Sequence, residues 1–168
     1  MQQNIPATSD NSLITELKAL PDDFYLIIPK IDAKARIIAD VDPFDAVKYN
    51  AALSSGIAHA ANTAKPGKNG NTFLFAHSGR NFYDNLHMNV QFYLLDKMEP
   101  SDHIFVKYQD RIYIYEVNNV TKVWPDDISY LTKQDQEYNK LTLMSCWPAG
   151  INYQRQIVEA QLVDIILL

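Results

Sequence analysis

Apolar residues in this chain come in short runs, each closed by glycine, proline or a polar cluster, which is the texture of β-rich structure. Phe24-Tyr25-Leu26-Ile27-Ile28 is aromatic and β-branched, stops at Pro29, and predicts a strand. Residues 35–39 predict a second, weaker one. Residues 72–76, Thr-Phe-Leu-Phe-Ala, are nearly all apolar, as a central strand covered on both faces requires. Residues 103–108 and 111–123 flank Gln109-Asp110, a hairpin-like break. In the second of these, Ile112, Ile114, Glu116 and Asn118 alternate with Tyr113, Tyr115, Val117 and Asn119 at period two. Residues 141–145 form a short strand that runs into Cys146, and residues 156–168 close the chain as another.

Helical pattern is scarce. Residues 12–20 predict a short helix with Ser12 as N-cap, stopped by Pro21. Residues 44–53 predict a second, opened by Asp42-Pro43. Residues 92–98 read as one or two helical turns ending before Pro100. Residues 1–11, 63–71, 81–91 and 125–139 read as lead-in or loop, the last about fifteen residues long, enough to suspect function. Seven or eight short strands without strand–helix alternation predict a closed or nearly closed β-barrel. The chain divides into a lead-in over 1–22 and one barrel domain over 23–168.

Composition changes this picture little. At 168 residues with 47% apolar content, the chain can bury one core without staples. The net charge of −5 is spread out, so there is no electrostatic footprint for nucleic acid and no basic amphipathic helix for a membrane surface. No apolar run approaches the length of a membrane span, and the Ile-Ile-Leu-Leu at 165–168 is too short for one. Cys146 is the single cysteine, which excludes an internal disulfide and leaves a buried thiol, a free reactive one or an intermolecular bond.

His77 and Cys146 each stand where an apolar strand runs out into a loop, and Arg155 stands where the chain re-enters the sheet. If their strands are neighbours, the three meet on one rim. The types suit nucleophilic catalysis. A thiol is only a few per cent thiolate at neutral pH and needs a positive neighbour. Histidine provides one and can protonate a leaving amine. Arginine stays charged and can donate two hydrogen bonds to an oxyanion. His59, His87 and His103 are competing partners, but none has the strand-end position of His77. One cysteine without a close second ligand is a weak zinc signal.

Thr142-Leu143-Met144-Ser145-Cys146 resembles the sortase signature Thr-Leu-x-Thr-Cys, with serine for the second threonine. The segment from Cys146 through Trp147, Pro148, Gly150 and Asn152 to Arg155 resembles the Cys-to-Arg stretch of sortases, class C above all. Asn71 to His77 resembles the family's Gly-Asn-Thr-(apolar)-Ala-Gly-His strand; Ile28-Pro29-Lys30-Ile31 and residues 52–59 also fit, so the resemblance runs from about residue 24 to 164.

The resemblance implies an eight-stranded barrel acting outside the cell, held to the membrane by an anchor that this soluble piece lacks. It implies cleavage of a C-terminal sorting signal of the Leu-Pro-x-Thr-Gly kind and transfer to an amine of a peptidoglycan precursor or a pilin lysine. Matched by motif, Cys146 is the nucleophile, His77 the acid and base, and Arg155 the oxyanion donor. Ser145, Trp147, Ala76 and Ser78 are expected against the substrate. No cofactor is required. Asp126 and Asp127 are acidic residues of the kind that hold calcium in some class A members, but no metal is expected. Two departures stand out. Ala76 replaces a glycine common before the histidine. Asp42-Pro43-Phe44 has the letters of a class C lid but follows the first strand, so it reads as a helix start. The rivals are an L,D-transpeptidase, whose Ser-His-Gly before the cysteine is absent here, and a non-enzymatic β-barrel binding module with an inert buried thiol.

Overall fold

The strands close on themselves. In a computed structural model that describes residues 8–21, 23–79, 91–132 and 138–168, β1 (Phe24–Ile28), β2 (Ala33–Val41), β3 (Ile57–Ala60), β4 (Gly70–Phe75), β5 (His103–Tyr108), β6 (Arg111–Val123), β7 (Asn139–Trp147) and β8 (Gln154–Leu167) form a closed barrel in the order β1-β2-β3-β4-β7-β8-β6-β5. β2–β3 and β4–β7 are parallel pairs; the other neighbours are antiparallel. The barrel predicted from the short apolar runs is therefore what forms. The interior is filled by residues such as Leu26, Leu74, Ile104, Tyr115, Leu141 and Val158, all fully or almost fully buried. Each large apolar side chain so placed contributes about 1.5–3 kcal/mol.

A second, smaller core explains why β1 is apolar on both faces. Helix α1 (Thr8–Ala19) lays Leu13, Ile14 and Leu17 over Ile27, Phe105, Ile112 and Ile114 on the outside of the barrel. Lys107 fastens its end: the ammonium, buried with the rest of the side chain, donates to the carbonyl of Leu20 at 2.6 Å. The helix starts earlier than predicted, so Ser12 lies inside it rather than capping it. Of the lead-in expected over 1–11, residues 1–7 lie outside the described residues and the rest is helical. The loop expected over 81–91 likewise lies outside them, save Gln91.

Three strands differ most from the pattern reading, while β4 and β8 each begin two residues early. β2 runs on to Val41 because a bulge between Ile38 and Val41 absorbs Asp40, whose φ of 57° is one that aspartate tolerates. β3 is four residues long with His59 at its centre, too short and too polar to read as a strand. β7 is longer than predicted at both ends because Asn139, Lys140, Cys146 and Trp147 carry the ladder beyond the apolar run. Helix α2 (Ala46–Leu53) crosses from β2 to its parallel partner β3. Its cap is Asp45, whose carboxylate accepts from the Val47 and Lys48 N–H groups, while Asp42 to Phe44 form a turn ahead of it.

Candidate active site

His77, Cys146 and Arg155 are brought together by strand register. Phe75 of β4 pairs with Met144 of β7, and Ala76 N–H continues the ladder to the Met144 carbonyl at 3.2 Å. His77 and Cys146 thus leave adjacent parallel strands at the same level. Across the other edge of β7, Cys146 and Arg155 are direct antiparallel partners, as are Met144 and Ile157. All three candidates line one cavity of about 400 Å³ on the outside of the barrel.

The floor is Phe73, Phe75, Met144 and Ile157. One wall is Tyr49 and Leu53 of α2 with the turn residues Pro43 and Phe44. The opposite wall is Pro125, Ile128, Tyr130 and Leu131, from the segment that carries the short helix α3 (Ser129–Thr132). Such a mostly apolar trough with a few polar groups at one end suits an extended, largely uncharged peptide. Cys146 is half-buried and borders this space, so it does not lie in the core.

Two hydrogen-bond systems hold the rim. Between β7 and β8, Asn152 Oδ1 accepts from Arg155 Nη1 and lies 3.9 Å from Cys146 Sγ, a long S–H···O contact. Arg155 Nη1 also donates to the Gln154 carbonyl at 3.3 Å. The same loop is tied to the histidine segment by Gly150 N–H donating to Ser78 Oγ at 3.2 Å. Behind the cavity, buried Asn71 accepts from Thr142 Oγ1 at 2.9 Å and donates to the Tyr130 carbonyl at 3.0 Å. This links β4, β7 and the α3 wall.

The four residues expected against the substrate part company. Ala76 and Ser145 border the cavity but are almost wholly buried. Ala76 has no positive φ, so alanine is accommodated where a glycine was expected. Ser78 also borders it, with its hydroxyl engaged by the loop. Trp147 lies off the cavity, under Lys122 Nζ at 4.5 Å from its ring centroid. Asp127 Oδ1 accepts from Ser129 N–H at 3.0 Å and so caps α3.

The competing histidines have other surroundings. His59 is fully buried in β3, where it pairs with Leu74 of β4 and does not line the cavity. Its Nδ1 accepts from the Asp40 N–H at 3.2 Å and from Lys65 Nζ at 3.1 Å, which puts the proton on Nε2, 3.0 Å from the Ala64 carbonyl. Burial holds it below its ordinary value, with the Ala64 hydrogen bond opposing, so it is a neutral structural histidine. His103 faces Glu116 across the β5–β6 pair at 3.6 Å, and His87 lies outside the described residues. The pattern reading missed Asn152, Asn71 and the α2 wall. A polar Asn71 opening an apolar strand was the one available signal; nothing in the spacing singles out Asn152 or Tyr49.

The family model of the sortase domain matches residues 26–163. Among solved structures the chain is similar to sortase A of Corynebacterium diphtheriae, as a lid mutant, with 26% identity and a TM-score of 0.70 over 98% of this chain and 83% of that one. It is similar to the Clostridium perfringens sortase D5 transpeptidase, with 24% identity and a TM-score of 0.67 over 96% and 91% of the two chains. It is also similar to the pilus-related sortase C of Group B Streptococcus, with 23% identity and a TM-score of 0.71 over 98% and 77%. Among curated protein sequences nothing matches.

Proposed function

Because the chain belongs to the sortase family, a family of cysteine transpeptidases, we propose that it cuts a C-terminal sorting signal of the Leu-Pro-x-Thr-Gly kind and joins the new acyl end to an amine. The observation that carries this reading is the meeting of Cys146, His77 and Arg155 at the polar end of one apolar trough. The Cys146 thiolate attacks the scissile carbonyl carbon, and Arg155 donates to the oxygen that becomes negative. The C–N bond breaks, the departing amine takes a proton from His77, and a thioester remains on Cys146. The incoming amine then gives a proton to His77 as it attacks the thioester, and the thiolate leaves. Every step uses groups of the chain, and no cofactor has a part.

The trough walls from α2 and the 125–132 segment receive the sorting signal, and Ser145 and Ala76 shape its end nearest the sulfur. The acceptor is an amine of a peptidoglycan precursor or a pilin lysine. The place of action is the outer face of the cell membrane. Among the described residues no helix is long and apolar enough to cross it.

The test is a product assay: Leu-Pro-x-Thr-Gly-like peptides with and without an added amine, separated by chromatography. The expected result is an amine-dependent ligation product that Cys146→Ala abolishes while its melting temperature stays within a few degrees of the parent. Ligation that survives Cys146→Ala, or a variant that fails to fold, contradicts the reading.

A further inference from the structure

We propose that Asn152 is the positioning residue of this site, holding Arg155 at the sulfur of Cys146 through one shared acceptor atom. The inference rests on the catalytic roles proposed above for Cys146 and Arg155, and it assigns a function to a residue outside that trio. Strand pairing alone places Cys146 and Arg155 opposite each other but does not fix a long guanidinium. An arginine side chain has many rotamers, and freezing them costs free energy unless a partner holds the head group.

Asn152 supplies that partner. Its Oδ1 accepts from Arg155 Nη1 and is also the polar atom that the Cys146 thiol faces, at 3.9 Å. Asn152 in turn is set by the loop around it. Ile151 N–H closes a turn onto the Pro148 carbonyl at 2.8 Å, and Gly150 N–H is fixed to Ser78 Oγ, next to His77. The carboxamide is neutral, so it orients the cation without cancelling its charge, which a carboxylate at this position would do. When a scissile carbonyl arrives, Arg155 has only to exchange one neutral acceptor for the developing oxyanion. Asn152 therefore acts through Arg155 and forms no bond with the substrate.

The experiment is a double-mutant cycle read by the rate of Cys146 alkylation with iodoacetamide at pH 7, which needs no peptide substrate. Arg155→Ala, removing the nearby cation, slows alkylation about 10-fold. Asn152→Ala alone, leaving the arginine only its longer bond to the Gln154 carbonyl, slows it about 3- to 10-fold. In the Arg155→Ala background, Asn152→Ala changes the rate by less than about 2-fold, because the two residues act as one unit. A loss of equal size in both backgrounds, or no loss in the parent, overturns the proposal; a residue that merely shapes the loop gives the former. If Arg155→Ala itself leaves alkylation unchanged, it is the role of Arg155 beside the sulfur that fails.

Discussion

A side chain at this rim is defined by what faces it across the sheet. Arg155 opposes Cys146 on β8 and presents a planar guanidinium there. Lysine keeps the charge but not the planar fork that binds Asn152 and that is proposed to turn to an oxyanion. Arg155→Lys is therefore expected to lower the transpeptidation rate by about 10²-fold or more, measured under saturating peptide. A rate within a factor of two of the parent would contradict an oxyanion role. His59 makes the opposite case, a histidine held neutral by burial. Its folded value lies below its ordinary one, so the unfolded chain binds the extra proton first. The stability it contributes is complete above about pH 6.5 and is lost as pH falls through the folded value. His59→Gln should flatten the fall in melting temperature between pH 7.5 and 5.5, whereas an unchanged slope would assign that fall to other groups.

The elements explain why the trough has the walls it has. β4, β7 and β8 set the floor by register alone, but the walls are held by specific polar ties. Asn71 is the main one, spanning Thr142 on β7 and the Tyr130 carbonyl beside α3. Asn71→Ala leaves the buried Thr142 hydroxyl without that acceptor, at a cost of about 1–3 kcal/mol in denaturant unfolding. Stability unchanged within error would mean that the tie is dispensable. The segment after β6 supplies Pro125, Ile128, Tyr130 and Leu131 to the cavity. Replacing residues 125–132 by another sequence should change which peptides are cut far more than it changes melting temperature. An unaltered peptide profile would remove this wall from substrate choice.

For the whole molecule, the barrel was legible because closure shows itself as a succession of short apolar runs ended by turn residues. The rim that brings His77 and Cys146 together was legible in outline for a related reason: residues 72–76 and 141–145 are apolar strands, so both residues must emerge at strand ends. What the pattern could not reveal is decided by tertiary contact. β3 is short and holds a buried histidine, whose partners come from β2 and from the loop before β4. Trp147 shares a strand with Cys146, but alternation along β7 turns it toward Lys122 instead of the trough. Asn152 stands in the segment that resembles the sortase Cys-to-Arg stretch, but its contacts depend on Cys146 and Arg155 being paired across two strands.

The central claim is that Cys146 carries the acyl group between two substrates. Intact-protein mass spectrometry after mixing the enzyme with a sorting-signal peptide tests it directly. The account predicts a mass increase equal to the peptide's acyl portion, located on Cys146, that disappears when an amine is added and reappears as ligated product. Ligation without any such adduct, under conditions that trap thioesters, or an adduct that persists in Cys146→Ala, would contradict it.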